Sequence, residues 1–163
     1  MKTITLTQGK KAVVDDEDFI WLSSWKWFAI RDVDRFYAAR NSKKRLVRMH
    51  RSLMNPTYSM DVDHINGNGL DNRRENLRVC SRRENARNSR KRCKGSSMFK
   101  GVCLDRQYGT WRASVRFNRK LINIGRFRNE EEAARAYDNA AEQYFGVFAH
   151  VNFPKKVVMV SHR

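Results

Sequence analysis

DHINGNGLDNRRENLRVCSRRENARN, residues 63–88, sets an acid beside a histidine, opens two Asn-Gly turns, and then repeats asparagine along an arginine-rich segment. MDVDHI at its start and LRVCS within it read as short strands, with a glycine-rich loop between them. The residues from about Arg82 to Lys91 read as a helix. Asp63 and His64, adjacent on a strand, point to opposite sides unless the strand ends there. At a strand end the loop can bring both into one cleft, and a helix after the second strand can present a further oxygen ligand across it. Asn66, Asn68 and Asn72 read as turn formers. His50, in RMHR, reads as structural or phosphate-facing, and Asn88 as extending the helix face or touching nucleic acid rather than as catalytic.

Composition bounds the answer. The 163 residues suit one domain or two small ones, and 40% hydrophobic residues with four Trp, nine Phe and five Tyr are enough to build cores. No apolar run approaches the ~20 residues of a membrane span. MKTITLTQGKK does not read as a signal peptide, so a cytoplasmic chain is expected. Thirty-four Lys and Arg against seventeen Asp and Glu give a net charge of +17. That excess predicts a polyanionic partner, with nucleic acid the default. A membrane surface is disfavoured, because no long basic amphipathic helix occurs. Cys80, Cys93 and Cys103 form no C-x-x-C pair, so zinc is not expected. All three are read as reduced, with Cys80 packed.

The chain divides by pattern into an α+β arrangement. Residues 1–48 read as a small β-rich unit, in which ITLT alternates and WKWFAI puts Trp25, Trp27 and Ala29 on one face. DRFYAAR pairs with it, and DDEDFIWLSS makes one or two helical turns begun by Asp15 or Asp16. RLVRMHRSLM suggests a short helix ending before Pro56. The strand–loop–strand–helix segment occupies 49–92, a basic linker 93–97, a second module 98–154 and a tail 155–163. In the second module KGVCLD, TWRASVRF and LINIGRF read as three antiparallel strands, with turns at Tyr108-Gly109 and Asn118 to Lys120. NEEEAARAYDNAAEQYFG reads as one helix with an Asn129/Glu132 capping box, a Gly146 cap, and Ala133, Ala136, Tyr137, Ala140 and Tyr144 as its inner stripe.

Cleaving a phosphodiester needs a deprotonated water, charge stabilisation at phosphate, and help for the departing oxygen. A divalent cation on oxygen ligands supplies the last two, and a neutral histidine the first. The order strand with Asp-His, loop with Asn, strand, helix with Asn resembles the HNH endonucleases, whose fold is the ββα-metal motif. VDHINGNGLDNRRENLRVCSRRENARN looks like the form found in phage and intron-borne homing enzymes. His64 to Asn76 is a step of twelve and Asn76 to Asn85 a step of nine, as that family's pattern expects. The resemblance implies His64 as general base, Asp63 and Asn85 as ligands of Mg²⁺ or Mn²⁺, and Asn76 as the residue that holds the His64 ring. Arg73, Arg74 and Arg78 are expected to hold flanking phosphates.

Residues 98–128 hold eight basic residues and one acidic, whereas 129–145 hold one basic and five acidic. A sheet backed by a helix would therefore offer DNA a basic outer face. With Trp111, Ala113, Val115 and Phe117 turned to the helix, Thr110, Arg112, Ser114 and Arg116 face out. KGV, GTWRASVR, IGRF, EEAARAYDNAA and VNFP, in that order, resemble the plant APETALA/ethylene-response-factor DNA-binding domain over about a third of the chain. That resemblance implies DNA contacts from Lys100, Arg106, Tyr108, Thr110, Arg112, Ser114, Arg116, Asn123 and Arg126. Cys103 and Asp105 stand where the plant domains often carry arginine, and Asn123 replaces a usual Trp. Lys91 and Lys94 in the linker are expected on phosphate.

Together these readings predict a metal-dependent, site-specific endonuclease of the homing type acting on double-stranded DNA. With no internal repeat or heptad, a monomer that nicks one strand is expected. The rival from another class is a DNA-binding regulator with an inactive nuclease segment. A non-catalytic RNA-binding protein ranks last, because no aromatic stacking motif of that kind occurs.

Overall fold

Alternation in KTIT and KAVV makes a two-stranded antiparallel hairpin of β1 (Lys2–Thr5) and β2 (Lys11–Val14), with Ile4, Ala12 and Val14 turned inward. The computed structural model describes residues 1–43, 45–89 and 95–154, so Lys91, Lys94, Cys93 and the tail 155–163 lie outside the described residues. Two compact units result, Met1–Asn88 and Ser89–Arg163.

In the first unit α1 (Asp16–Ser23) starts at Asp15, and three acids in its first turn complement the helix dipole. Next, β3 (Phe28–Asp32), β4 (Arg35–Ser42) and β5 (Arg45–Arg48) form an antiparallel sheet in that order. The short helix α2 (Met49–Met54) follows, and Asn55 ends it in the left-handed region at φ 41° just before Pro56. The helix expected over RLVRMHRSLM therefore forms only in its second half. Residues 45–48 pair instead with Ala39–Ser42, because a ladder to an existing strand outweighs local propensity. Then β6 (Asp61–His64) and β7 (Leu77–Cys80) pair antiparallel, and α3 (Arg82–Arg87) packs on β6. A reciprocal capping box between Ser81 and Glu84 starts α3.

One core serves the whole first unit. Met49, Leu53, Val62 and Leu77 pack with Ile4, Leu6, Val14, Leu22, Trp27 and Ala38. The boundary expected at residue 48 is thus not a packing boundary. Two four-residue strands and a six-residue helix cannot bury a core alone, so β6, β7 and α3 rest on the elements before them. Trp25 differs from Trp27 and Ala29: it stays 48% exposed, with the Arg40 guanidinium 4.0 Å from its ring centroid.

The second unit contains β8 (Val102–Asp105), β9 (Thr110–Phe117) and β10 (Lys120–Phe127), an antiparallel sheet ordered β10-β9-β8. Ala113 and Val115 are buried against α4 (Glu130–Phe145), with Trp111 and Phe117 packed beside them, as the alternation predicts. Asn118 and Arg119, both at positive φ, make the tight β9–β10 turn. At Gly101 a Cβ would sit 1.9 Å from the Tyr137 ring, so only glycine admits this approach of sheet to helix. Asn129 caps α4 by accepting from Glu131 N and Glu132 N. The buried stripe is Ala133, Ala134, Tyr137, Ala140, Ala141 and Phe145, rotated from the expected one, so Tyr144 stays 37% exposed. Among the described residues no helix is long and apolar enough to cross a membrane.

Candidate active site and nucleic-acid face

Strand alternation splits the Asp63–His64 pair between two faces of the β6–β7 hairpin. Asp63 lies opposite Arg78 in register, and the carboxylate accepts from Arg78 Nη2 at 2.6 Å and Nε at 2.9 Å. Both side chains are shielded, at 5% and 16% exposed. From α3 and its cap, Asn85 Nδ2 donates to Asp61 Oδ2 at 3.3 Å. Asn88 Nδ2 lies 2.9–3.0 Å from both oxygens of Asp63, 3.0 Å from His64 O and 3.4 Å from Ile65 O. One amide nitrogen carries two hydrogens, so it sits among more acceptors than it can satisfy. Thus Asn88, not Asn85, touches Asp63. Their three-residue spacing puts both on the helix face toward β6, and i, i+3 spacing was the signal that could have paired them.

His64 turns the other way. Its ring meets His50 edge-on at 4.9 Å and Tyr37 at 5.8 Å between centroids, and its Nε2 is 3.5 Å from Asn72 Oδ1. His64, His50 and Asn72 are all buried. Burial lowers the His64 pKa below its ordinary value, against the opposing pull of Asn72, Asp63 and Asp71. His50 drops further, to about 3, through burial and then the neighbouring His64. Both rings are therefore neutral at pH 7. With Asn72 oxygen as acceptor, Nε2 carries the His64 proton and Nδ1 keeps the lone pair.

Asn76 does not reach the ring. Its Oδ1 accepts from Asn66 N at 3.0 Å and its Nδ2 donates to Asp71 O at 2.8 Å, tying the two sides of the loop together. The ring-holding place expected for Asn76 falls to Asn72. Asn66 and Asn68 are the turn formers expected of them, each accepting from a backbone N–H two residues on.

The N-terminal elements explain how this loop stays in place. Val13 N donates to Leu70 O, and Asn72 N donates to Val13 O, so β2 grips the loop as a strand would. At Gly69 a Cβ would lie 2.5 Å from Phe36 O and the Tyr37 ring, so β4 approaches the loop as closely as glycine permits. Arg74 N donates to Asp15, and the Arg74 guanidinium makes two 2.8 Å bonds to the buried Asp18. Arg73 pairs with Asp71 and Glu75, and Arg78 with Asp63. All three arginines expected on flanking phosphates are thus engaged within the protein. For Arg73 the acids are two residues away and for Arg78 the acid is its cross-strand neighbour, whereas Arg74 is held by acids more than fifty residues away, which no local pattern connects to it.

Among the described residues no group of three or more His, Cys, Asp or Glu side chains is placed to hold a metal ion. On this face Asn88 meets the Asp63 carboxylate and Asn85 meets Asp61, each through its amide nitrogen, and either amide turned over would add its oxygen to that of Asp63. An oxygen set of this kind fits a hard divalent ion that keeps most of its shell as water and phosphate. It does not suit zinc, and burial pushes the neighbouring Cys80 thiol up to about 11. Arg78 supplies the positive charge that Asp63 meets in this structure.

On the second unit, Cys103, Arg112 and Arg126 form one cross-strand row, and Ser114 faces Asn123 in another. Arg106, Tyr108, Arg116, Asn123 and Arg126 are exposed, while Thr110, Arg112 and Ser114 are half-buried. Arg112 Nη2 lies 3.6 Å from Cys103 Sγ. Lys100 departs from the expected pattern: it is half-buried, its Nζ donates to Ser89 O at 2.7 Å, and burial lowers its pKa to about 8.

Residues 56–87 match the HNH endonuclease family. A 62-residue stretch is 42% identical to the AP2-like ethylene-responsive transcription factor PLT2 of Arabidopsis thaliana, covering 37% of this chain and 11% of that one. AIL5 of Arabidopsis thaliana and CRL5 of Oryza sativa subsp. japonica, with the same description, are each 40% identical over 62 residues, which is 37% of this chain and 11% and 10% of theirs. The chain thus spans about a tenth of the length of these relatives. The family match points to a nuclease, and the transcription-factor likeness to DNA binding.

Proposed function

We propose that the chain is a metal-dependent, site-specific DNA endonuclease of the homing type, in which the first unit cuts one strand and the second reads the site. The observation that carries this reading is a neutral histidine, His64, held by Asn72 at the end of β6, with Asp63, Asn85 and Asn88 on the other face of the same hairpin, in and just after the segment that matches the HNH endonucleases. His64 Nδ1 takes the proton of the attacking water, and Asn72 keeps the tautomer that frees that lone pair. Tyr37 and His50 fix the ring plane. Asp63, with the amide oxygen of Asn85 or Asn88, would hold the divalent ion. When bound, that ion stabilises charge at the phosphate and at the leaving oxygen. Asn76 keeps the loop closed around Asn72.

The second unit supplies the specificity that so small a cutting site lacks, through the exposed side chains of its outer sheet face. The motifs of residues 98–154 support this assignment. A rival reading, a DNA-binding regulator with a silent first unit, draws on one observation: Arg78 and Asn88 already occupy the Asp63 carboxylate. Incubation of supercoiled DNA with the full chain, with Mg²⁺ or Mn²⁺ and with EDTA, separates the two. Nicked circles only with metal support the endonuclease. Intact plasmid despite tight binding supports the regulator.

A further inference from the structure

A guanidinium that selects a base must present its flat edge in a fixed plane, whereas one that meets phosphate gains little from being fixed. Arg126 on β10 is an exposed arginine of the outer sheet face that is held in this way. Its Nε lies 3.3 Å from Asp105 Oδ2, and its guanidinium carbon lies 4.7 Å from the Tyr108 ring centroid. Asp105 and Tyr108 belong to the same β8–β9 turn. Asp105 Oδ1 accepts from Gln107 N and its carbonyl from Tyr108 N, each at 3.3 Å, so carboxylate and ring are placed together by backbone. The Asp105 side chain is 15% exposed, the Arg126 side chain 51%. The carboxylate is thus the sheltered partner and the guanidinium the offered one.

We propose that Arg126 is a guanine-selecting side chain of the second unit, with Asp105 as its positioning residue and Tyr108 as the surface on which it lies. The inference rests on the DNA-reading half of the function proposed above. With Nε turned to Asp105, the terminal Nη1 and Nη2 form the edge that matches guanine O6 and N7 in the major groove. A carboxylate on a face that meets DNA repels phosphate, and Asp105 is the single acid among residues 98–128. Orienting Arg126 is a gain that offsets this repulsion.

The test is selection of bound duplexes from a randomised pool, by the full chain in EDTA so that nothing is cut, followed by sequencing. The wild type should enrich guanine at one position that depends on Arg126. Arg126→Lys keeps the charge, and should lose that guanine preference by about fivefold or more while affinity for random duplex stays within about threefold. Asp105→Asn keeps the acceptor for Gln107 N. It should bind random duplex more tightly and yet select guanine less, a split that simple removal of repulsion does not produce. Tyr108→Ala should weaken the same preference and Tyr108→Phe should not, which covers an Asp105 variant that fails to fold. An enriched motif unchanged in Arg126→Lys overturns the inference and leaves the DNA-reading function standing. A wild-type chain that holds duplex without enriching any sequence, or that holds none, overturns both.

Discussion

The two candidate sites place their polar groups in opposite surroundings. In the first unit Asp63, His64, Asp71, Asn72, Asn76 and Asn88 are all buried, and almost every one is satisfied by another. In the second unit Arg106, Arg116, Asn123 and Arg126 stand in solvent on a sheet whose core lies on the other side. A buried polar network couples its members, because removing one strands its partner in a medium that cannot replace it. Solvated side chains lose only their own contact. The first site should therefore fail as a whole, and the second should weaken by increments.

The largest expected effect tests that coupling at its centre. His64→Ala should lower the nicking rate by about 10²–10⁴-fold or more, with duplex affinity in EDTA nearly unchanged. An enzyme cutting at normal speed without His64 removes the base assignment. Asp63→Ala and Asn85→Ala should raise the metal concentration needed or abolish cutting, and Asn88→Ala should do the same if its amide also turns to the ion.

Arg78→Ala comes next. It leaves the Asp63 carboxylate buried without its cation, a loss of about 3–5 kcal/mol for pairs of this kind. Thermal unfolding should therefore fall steeply, and Mn²⁺ should restore more of it than it adds to the wild type, because ion and guanidinium compete for one carboxylate. Equal metal effects on both proteins would mean that Asp63 does not bind the ion.

Acid should expose the same network through its histidines. His50 and His64 have folded pKa values below the ordinary 6.5, so between the folded and unfolded values the unfolded chain binds more protons. Stability is then full above about pH 6.5 and lost as pH falls toward the folded value, which for His50 is about 3. The slope should approach 1.4 kcal/mol per pH unit for each histidine. Urea unfolding from pH 7 to pH 4 measures it, and His50→Gln should flatten the curve. The cutting rate should begin its acid decline below pH 6.5 for the same reason.

On the open sheet the effects are smaller and additive. Arg112→Ala or Arg116→Ala should each weaken specific binding by roughly 1–3 kcal/mol if that side chain makes a bidentate base contact, and the double variant should give close to the sum. Replacing Lys91 or Lys94 should weaken all duplexes alike and reduce the salt slope by about one. Non-additivity between Arg112 and Arg116 would erase the contrast between the units.

Local pattern determined much of this protein by itself. Alternation in TWRASVRF assigned the inner and outer faces of β9, and the Asn129 cap, glutamates and Gly146 bounded α4, because each depends on residues a few positions apart. Asp63, His64, Asn76 and Asn85 could be named as candidates from their order and spacing and the resemblance these carry to the HNH endonucleases. Their partners could not. Asn72 rather than Asn76 meets the His64 ring, His50 and Tyr37 enclose it, and Asp15 and Asp18 take Arg74 across more than fifty residues. Spacing records which groups a hairpin and helix can bring near one another. Which donor meets which acceptor was decided only when β2 and β4 closed on the loop and buried it, since burial forces each polar group to take the nearest partner the packed chain offers.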